Sequence, residues 1–144
     1  DDLTVSGHSA GGHLVAVALC TDWPGDYDLP ADTVKAGLGI SGLYDLAPFP
    51  YTWLQPSLQL GWDEVRRCSP INVVPDTAPP FTAAVGGAES AEFHRQARDF
   101  LARWHERGLS GSLEVVDGRN HITVLDTLAD RPGGLAADLR AQMR

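Results

Sequence analysis

The chain has 144 residues, 43% of them hydrophobic and 21% charged, which is one domain's worth of an ordinary globular protein with material for a core. Its formal net charge of −8 has the wrong sign for nucleic acid or an anionic membrane surface, both of which need clustered Lys and Arg. No apolar run approaches a membrane span and no signal peptide is visible; the expected location is cytoplasmic, though a fragment would carry little information on targeting.

In chain order, the apolar run Leu3 to Val5 reads as a strand and leads into Gly7-His8-Ser9-Ala10-Gly11. A helix-forming stretch follows, from about Ala10 to Cys20. Gly-x-Ser-x-Gly is a weak signal alone, but between a strand and a helix it describes a nucleophile elbow, a sharp turn that pushes a serine hydroxyl outward. Gly7 and Gly11 are expected to flank the turn because a β-carbon at either would crowd it. The helix behind would offer free N–H groups and a positive dipole end to an oxyanion. Leu14, Val15, Val17 and Leu19 lie on nearly every side of that helix, which predicts heavy burial. Thr21 to Thr33, with two prolines, Gly25 and four aspartates, reads as a surface loop.

Val34 to Ser41 reads as a buried strand whose small residues allow close packing. Residues 42–80 are broken by prolines yet hold Tyr44, Phe49, Tyr51, Trp53 and Trp62, and the stretch is too long for a plain connection. It reads as a cap or lid insertion. Phe81 to Val85 is a third strand ending at Gly86-Gly87. Ser90 is placed to cap a helix running to about Arg107, with Phe93, Ala97, Phe100, Leu101 and Trp104 on one face and Gly108 as its stop. Leu113 to Val116 is a fourth strand, and Asp117 to Asn120 turn the chain to His121. A helix is expected to begin near Ile122, break at Pro132-Gly133-Gly134 and resume from Leu135. Strands separated by helices indicate parallel βαβ units. The class is therefore α/β, a single domain with a parallel sheet of about four strands and helices on both faces. Cys20 and Cys68 lack metal-type spacing and read as two partly buried free thiols.

Sites in open parallel sheets form at the carboxyl ends of the strands. Ser9 follows the first strand, Glu89 the third and His121 the fourth, so all three fall on one edge in the order serine, acid, histidine. A serine hydroxyl becomes a good nucleophile when a histidine takes its proton, and a buried carboxylate fixes that imidazole's tautomer. Each member has a plainer alternative: Ser9 as a turn residue, His121 as a helix cap, Glu89 as a solvated first-turn charge. Asp117 is the main rival acid, with Asp45 and Asp126 behind it. Glu89 is favoured because it lies three residues beyond Gly86, one strand over from the His121 loop, about 5 Å away. Asp117 would need that loop to fold back on itself. His8 and His13 bracket the serine as pocket-lining or packing residues, and His94 and His105 read as surface positions.

Three stretches carry a resemblance: His8-Ser9-Ala10-Gly11-Gly12-His13-Leu14, Ser41-Gly42-Leu43-Tyr44-Asp45-Leu46, and Glu89-Ser90-Ala91-Glu92-Phe93-His94-Arg95-Gln96 with Asn120-His121. Together they resemble the arylformamidase (kynurenine formamidase) branch of the α/β-hydrolase superfamily, related to the hormone-sensitive-lipase-like esterases. The Glu-Phe-His-Arg-Gln stretch is the more specific clue, and the likeness covers nearly all of this chain but only the second half of such an enzyme. It implies a partial α/β-hydrolase fold with Ser9 as nucleophile, Glu89 as acid, where aspartate is commoner, and His121 as base. Ala10 N–H would be one oxyanion donor, with His8, Tyr44 and Trp53 against the substrate. It implies a small N-formyl aryl amide or short ester as substrate and neither metal nor organic cofactor. A general carboxylesterase, or an inactive fold used for binding, is the alternative. The family's upstream His-Gly-Gly loop has no counterpart here, and Asp1-Asp2 run at once into a strand, so the sequence reads as a fragment. Alone it is expected to be poorly active and to pair with a second copy through an exposed sheet edge.

Overall fold

In the computed structural model the residues described are 3–129, 134, 135 and 137. Strands β1 (Thr4–His8), β2 (Ala36–Ile40), β3 (Phe81–Gly86) and β4 (Gly111–Val116) form one parallel sheet in the order β1-β2-β3-β4. β2 and β3 are buried along their whole length, whereas β4 is largely exposed. Helix α1 (Ala10–Cys20) joins β1 to β2 and helix α5 (Ala91–Glu106) joins β3 to β4. Both lie on the same face of the sheet. Val15, Ala16 and Leu19 of α1 meet Phe81 and Ala83 of β3 and Ala97, Phe100 and Trp104 of α5 in one core. Among the described residues the two long helices thus share one face, where helices on both were expected. Each step along the sheet advances in one direction, so right-handed crossovers put their helices on one side. The opposite face, with Leu38, Ile40 and Ala84, is covered by Val124, from the 3-10 turn Thr123–Leu128, and by Leu135.

The period-2 alternation explains this division. Phe81 and Ala83 face the helices while Ala84 and, one strand over, Leu38 and Ile40 face away. At Gly39 a β-carbon would lie 2.6 Å from the Tyr44 hydroxyl, so glycine there lets that ring sit against the sheet. Helix α1 is less covered than its composition predicts. Leu14 and Val17 are exposed, because α1 meets the sheet along the Gly12, Val15, Ala16 and Leu19 face alone.

The stretch expected as a plain loop contains helix α2 (Trp23–Tyr27). The Asp22 side chain accepts from Gly25 N–H and Pro24 fits the first turn, so two loop-forming residues start a helix instead. Residues 42–80 form 3-10 turns at Phe49–Tyr51 and Pro70–Asn72 and two short helices, α3 (Gln55–Leu58) and α4 (Trp62–Cys68). Ser90 occupies the N-cap of α5 but its side chain makes no cap bond. The expected helix from Ile122 is instead the 3-10 turn. The break at Pro132-Gly133 and most of the stretch after Leu135 lie outside the described residues. Cys20 and Cys68 are free, and burial pushes the Cys20 thiol up to about 12.

One buried amide ties the segment after β2 to α5. The Gln96 Oε1 accepts from the N–H groups of Tyr44, at 2.8 Å, and Asp45, at 2.7 Å, while its Nε2 donates to the Asp45 carbonyl and to Glu92. Beside it Arg95 bridges Asp45, Glu92 and Asp99, and the guanidinium holds the Glu92 carboxyl below its ordinary range. Replacing Gln96 by leucine keeps the volume but leaves those two N–H groups unpaired. The cost expected from urea unfolding of the full-length protein is about 2–4 kcal/mol. Alanine at the exposed Arg98 should shift the midpoint little.

Candidate active site

The site begins where β1 stops. Ser9 has φ 57 and ψ −116, a conformation few non-glycine residues adopt, and α1 starts at the next residue. Its N–H donates to the Ile40 carbonyl at 2.8 Å and its carbonyl accepts from His13 N–H at 3.1 Å, so the turn is pinned to both the sheet and the helix. A β-carbon on Gly7 would lie 2.3 Å from the Gly11 carbonyl oxygen. The crowding is therefore at Gly7 alone: a β-carbon on Gly11 would meet nothing, which corrects the symmetrical expectation. Ala10 is the first residue of α1, where N–H groups have no partner earlier in the helix.

His121 arrives on the loop after β4. Asn120 shapes that loop, its Oδ1 accepting from the N–H groups of Ile122, at 3.0 Å, and Thr123, at 2.9 Å. The His121 Nε2 is 3.1 Å from the Ser9 Oγ, and the Nδ1 is 2.8 Å from the Glu89 Oε2. With the proton on Nδ1, His121 donates to Glu89 and accepts from the Ser9 hydroxyl. The Glu89 side chain is fully buried, and its other oxygen accepts from Ser41 Oγ at 2.5 Å and Gly86 N–H at 2.7 Å. Asp117 is exposed in the turn before His121, Asp45 is engaged with Arg95, and Asp126 pairs with Arg119. Glu89 is thus the acid that reaches the imidazole.

The His121 ring is held between two others. His8 and Phe93 each stand 4.5 Å from it, centroid to centroid, and His8 Nε2–H donates to the His121 carbonyl at 2.7 Å. His8 therefore packs against the histidine as well as preceding the serine. His13 donates from Nδ1 to the Leu43 carbonyl at 2.7 Å, tying α1 to the segment after β2. Tyr44 corrects a sequence expectation. It is completely buried, stacked on Phe100 at 4.6 Å and edge-on to Phe81 at 5.8 Å, and so offers no surface to a substrate. Burial also pushes its phenol pKa upward. Trp53 is at the other extreme, 86% exposed, with Tyr51 equally open. Ser41, Phe93 and Gln96 escaped the sequence reading as contributors to the site. The trace they left was their place in the stretches that carry the resemblance: Ser41 opens the second, and Phe93 and Gln96 lie in the third.

Comparison with known proteins places this geometry. The kynurenine formamidase of Danio rerio is 32% identical over 133 residues, which are 89% of this chain and 45% of that protein. The kynurenine formamidase of Salmo salar is 33% identical over 134 residues, with the same coverages of 89% and 45%. The chain thus spans less than half the length of the curated relatives it matches. Among solved structures, a candidate thioesterase from Silicibacter sp. superposes with a TM-score of 0.80 at 29% identity, over 97% of this chain and 51% of that one. No family model matches the chain. The chain has the α/β-hydrolase fold, and by sequence it is similar to kynurenine formamidases.

Proposed function

We propose that the protein to which this chain belongs is a serine hydrolase that cleaves a small N-formyl aryl amide or a short ester through Ser9. The observation that carries the reading is the hydrogen-bonded series from Ser9 Oγ to His121 Nε2 and from His121 Nδ1 to the buried Glu89 carboxylate. The similarity to kynurenine formamidases supports the formamide as substrate.

In the proposed reaction Ser9 Oγ attacks the carbonyl carbon while His121 Nε2 takes its proton. The imidazolium that forms is flanked by the Glu89 carboxylate, which needs no proton of its own to stabilise it. The Ala10 N–H supplies one donor to the tetrahedral oxyanion. His121 then gives its proton to the leaving amine or alcohol, and a formyl or acyl ester remains on Ser9. Water adds to that ester with the same histidine as base, releasing the acid and restoring the serine hydroxyl. Side chains carry every proton. Residues 42–80 serve as the cap in this reading, with Tyr51, Trp53 and Trp62 presented outward from it.

Replacing Ser9 by alanine in the full-length protein should abolish labelling by a fluorophosphonate and lower kcat by several powers of ten. Equal turnover in the two proteins would overturn the hydrolase reading. Glutamine at Glu89 should depress kcat strongly because the imidazole loses its ionised partner. Asparagine at the exposed Asp117 should change it less than twofold, and the two are compared by steady-state kinetics. The substrate is decided by kcat/KM for N-formylkynurenine against short p-nitrophenyl esters. The formyl amide should lead, and a higher value for the butyrate ester would assign a general carboxylesterase instead.

A further inference from the structure

Four non-glycine residues among those described have a positive φ: Ser9, Asp28, Ser41 and Gln59. Asp28 and Gln59 are the left-handed C-cap residues of α2 and α3, where helices commonly end this way. The two serines have no such cause, and the sheet relates them. His8 pairs with Ile40 in the parallel register, so Ser9 and Ser41 are each the first residue past that pair on neighbouring strands. The Ser9 N–H donates to Ile40 and the Ser41 N–H donates to Ala84, at 2.8 and 2.7 Å, so both serines join a positive φ to the same cross-strand bond one strand apart. A φ of 49 favours glycine, and such strain persists where another feature of the residue is needed.

What serine offers there is its hydroxyl. Ser41 is 2% exposed, and its Oγ donates to Glu89 Oε1 at 2.5 Å, alongside Gly86 N–H at 2.7 Å. The remaining oxygen, Oε2, is the one that meets His121 Nδ1 at 2.8 Å. An ionised carboxylate only accepts hydrogen bonds, so these three donors replace the water that burial has removed. We propose that Ser41 is a positioning residue for the hydrolytic site: with Gly86 it holds Oε1, stops the carboxylate from turning, and so aims Oε2 at the imidazole. Ser41 acts through Glu89 and touches no reacting atom. The role rests on the serine-hydrolase reading above.

Two substitutions in the full-length protein separate the hydroxyl from the strain. Ser41→Ala removes the hydroxyl and keeps a side chain at positive φ, whereas Ser41→Gly removes both. The glycine variant should therefore be the more stable of the two in urea. Both should nevertheless lose kcat equally, about ten- to a hundredfold, with KM little changed. Asp28→Gly, which likewise relieves a positive φ but at a helix end, should leave kcat unchanged. Proton NMR of the His121 Nδ1–H gives a readout that needs no turnover. Its downfield resonance in the parent protein should move upfield or broaden in both Ser41 variants and stay in place in Asp28→Gly. Wild-type kcat in the Ser41 variants, kcat that ranks with their stability, or an unmoved Nδ1–H would each overturn the proposal. If the parent neither turns over nor takes a fluorophosphonate on Ser9, the hydrolase reading fails, and the Nδ1–H signal still decides whether Ser41 orients Glu89.

Discussion

The hydrogen bond from Ser9 N–H to the Ile40 carbonyl is the first of three that run across the sheet at its carboxyl edge. Ser41 N–H donates to Ala84 and Gly87 N–H to Val116 in the same manner, at 2.7 and 2.8 Å. Each strand, one residue past its end, is thereby latched to the next. A parallel sheet brings all its strand ends to one edge, but that alone leaves the departing chains free to diverge. The latches set the directions in which they leave, and those directions decide where side chains from three separate loops meet. Ser9, Glu89 and His121 lie 80 and 32 positions apart in sequence, and their contacts at 3.1 and 2.8 Å depend on this edge being in register across four strands.

Two buried polar side chains tie the site to its scaffold, and each is compensated. Glu89 is buried with donors on both oxygens, and Gln96 with every polar atom engaged. The two are linked through α5. Glu89 stands just before its first turn, Phe93 on that turn packs on His121, and Gln96 one turn later holds the segment that follows Ser41. A displacement of α5 would move the acid, one wall of the histidine and the anchor of the segment after β2 together. The Glu-Phe-His-Arg-Gln stretch thus has a physical account: Phe93 packs on the site histidine, while Glu92, Arg95 and Gln96 form the network that holds the scaffold.

The elements that sequence revealed are those whose signal is local. The elbow shows as glycines around a serine, α5 as a one-sided apolar stripe ended by Gly108, and the strands as short apolar runs between breaks. The order of Ser9, Glu89 and His121 along alternating strands and helices was enough to place them on one edge. What stayed hidden is set by long-range packing. Composition could not say that both α1 and α5 take one face, because handedness and strand order decide that. Tyr44 reads as an aromatic among aromatics, and the space opened by Gly39 and Gly42 makes it a core residue. Ser41 opens one of the stretches that carry the resemblance, but nothing local to it tells what its hydroxyl does: the partner 48 positions away is reached through the register of β2 and β3.

That the acid is a glutamate follows from the same geometry. Glu89 N–H donates to the Gly86 carbonyl at 3.0 Å, while Gly86 N–H donates back to the Glu89 Oε1 at 2.7 Å, so the loop after β3 is closed by its own acid. The side chain must double back toward the end of β3 and still present a second oxygen outward to the next loop. An aspartate at this position would carry the same two oxygens on a side chain one methylene shorter, and so would reach less far toward His121 from this backbone. The chain at Gly86 also leaves no room to move closer, since a β-carbon there would lie 2.3 Å from the Arg119 carbonyl. The extra reach of glutamate is therefore matched to a turn packed tightly on the His121 loop, and substitution of the acid alone would leave that turn open.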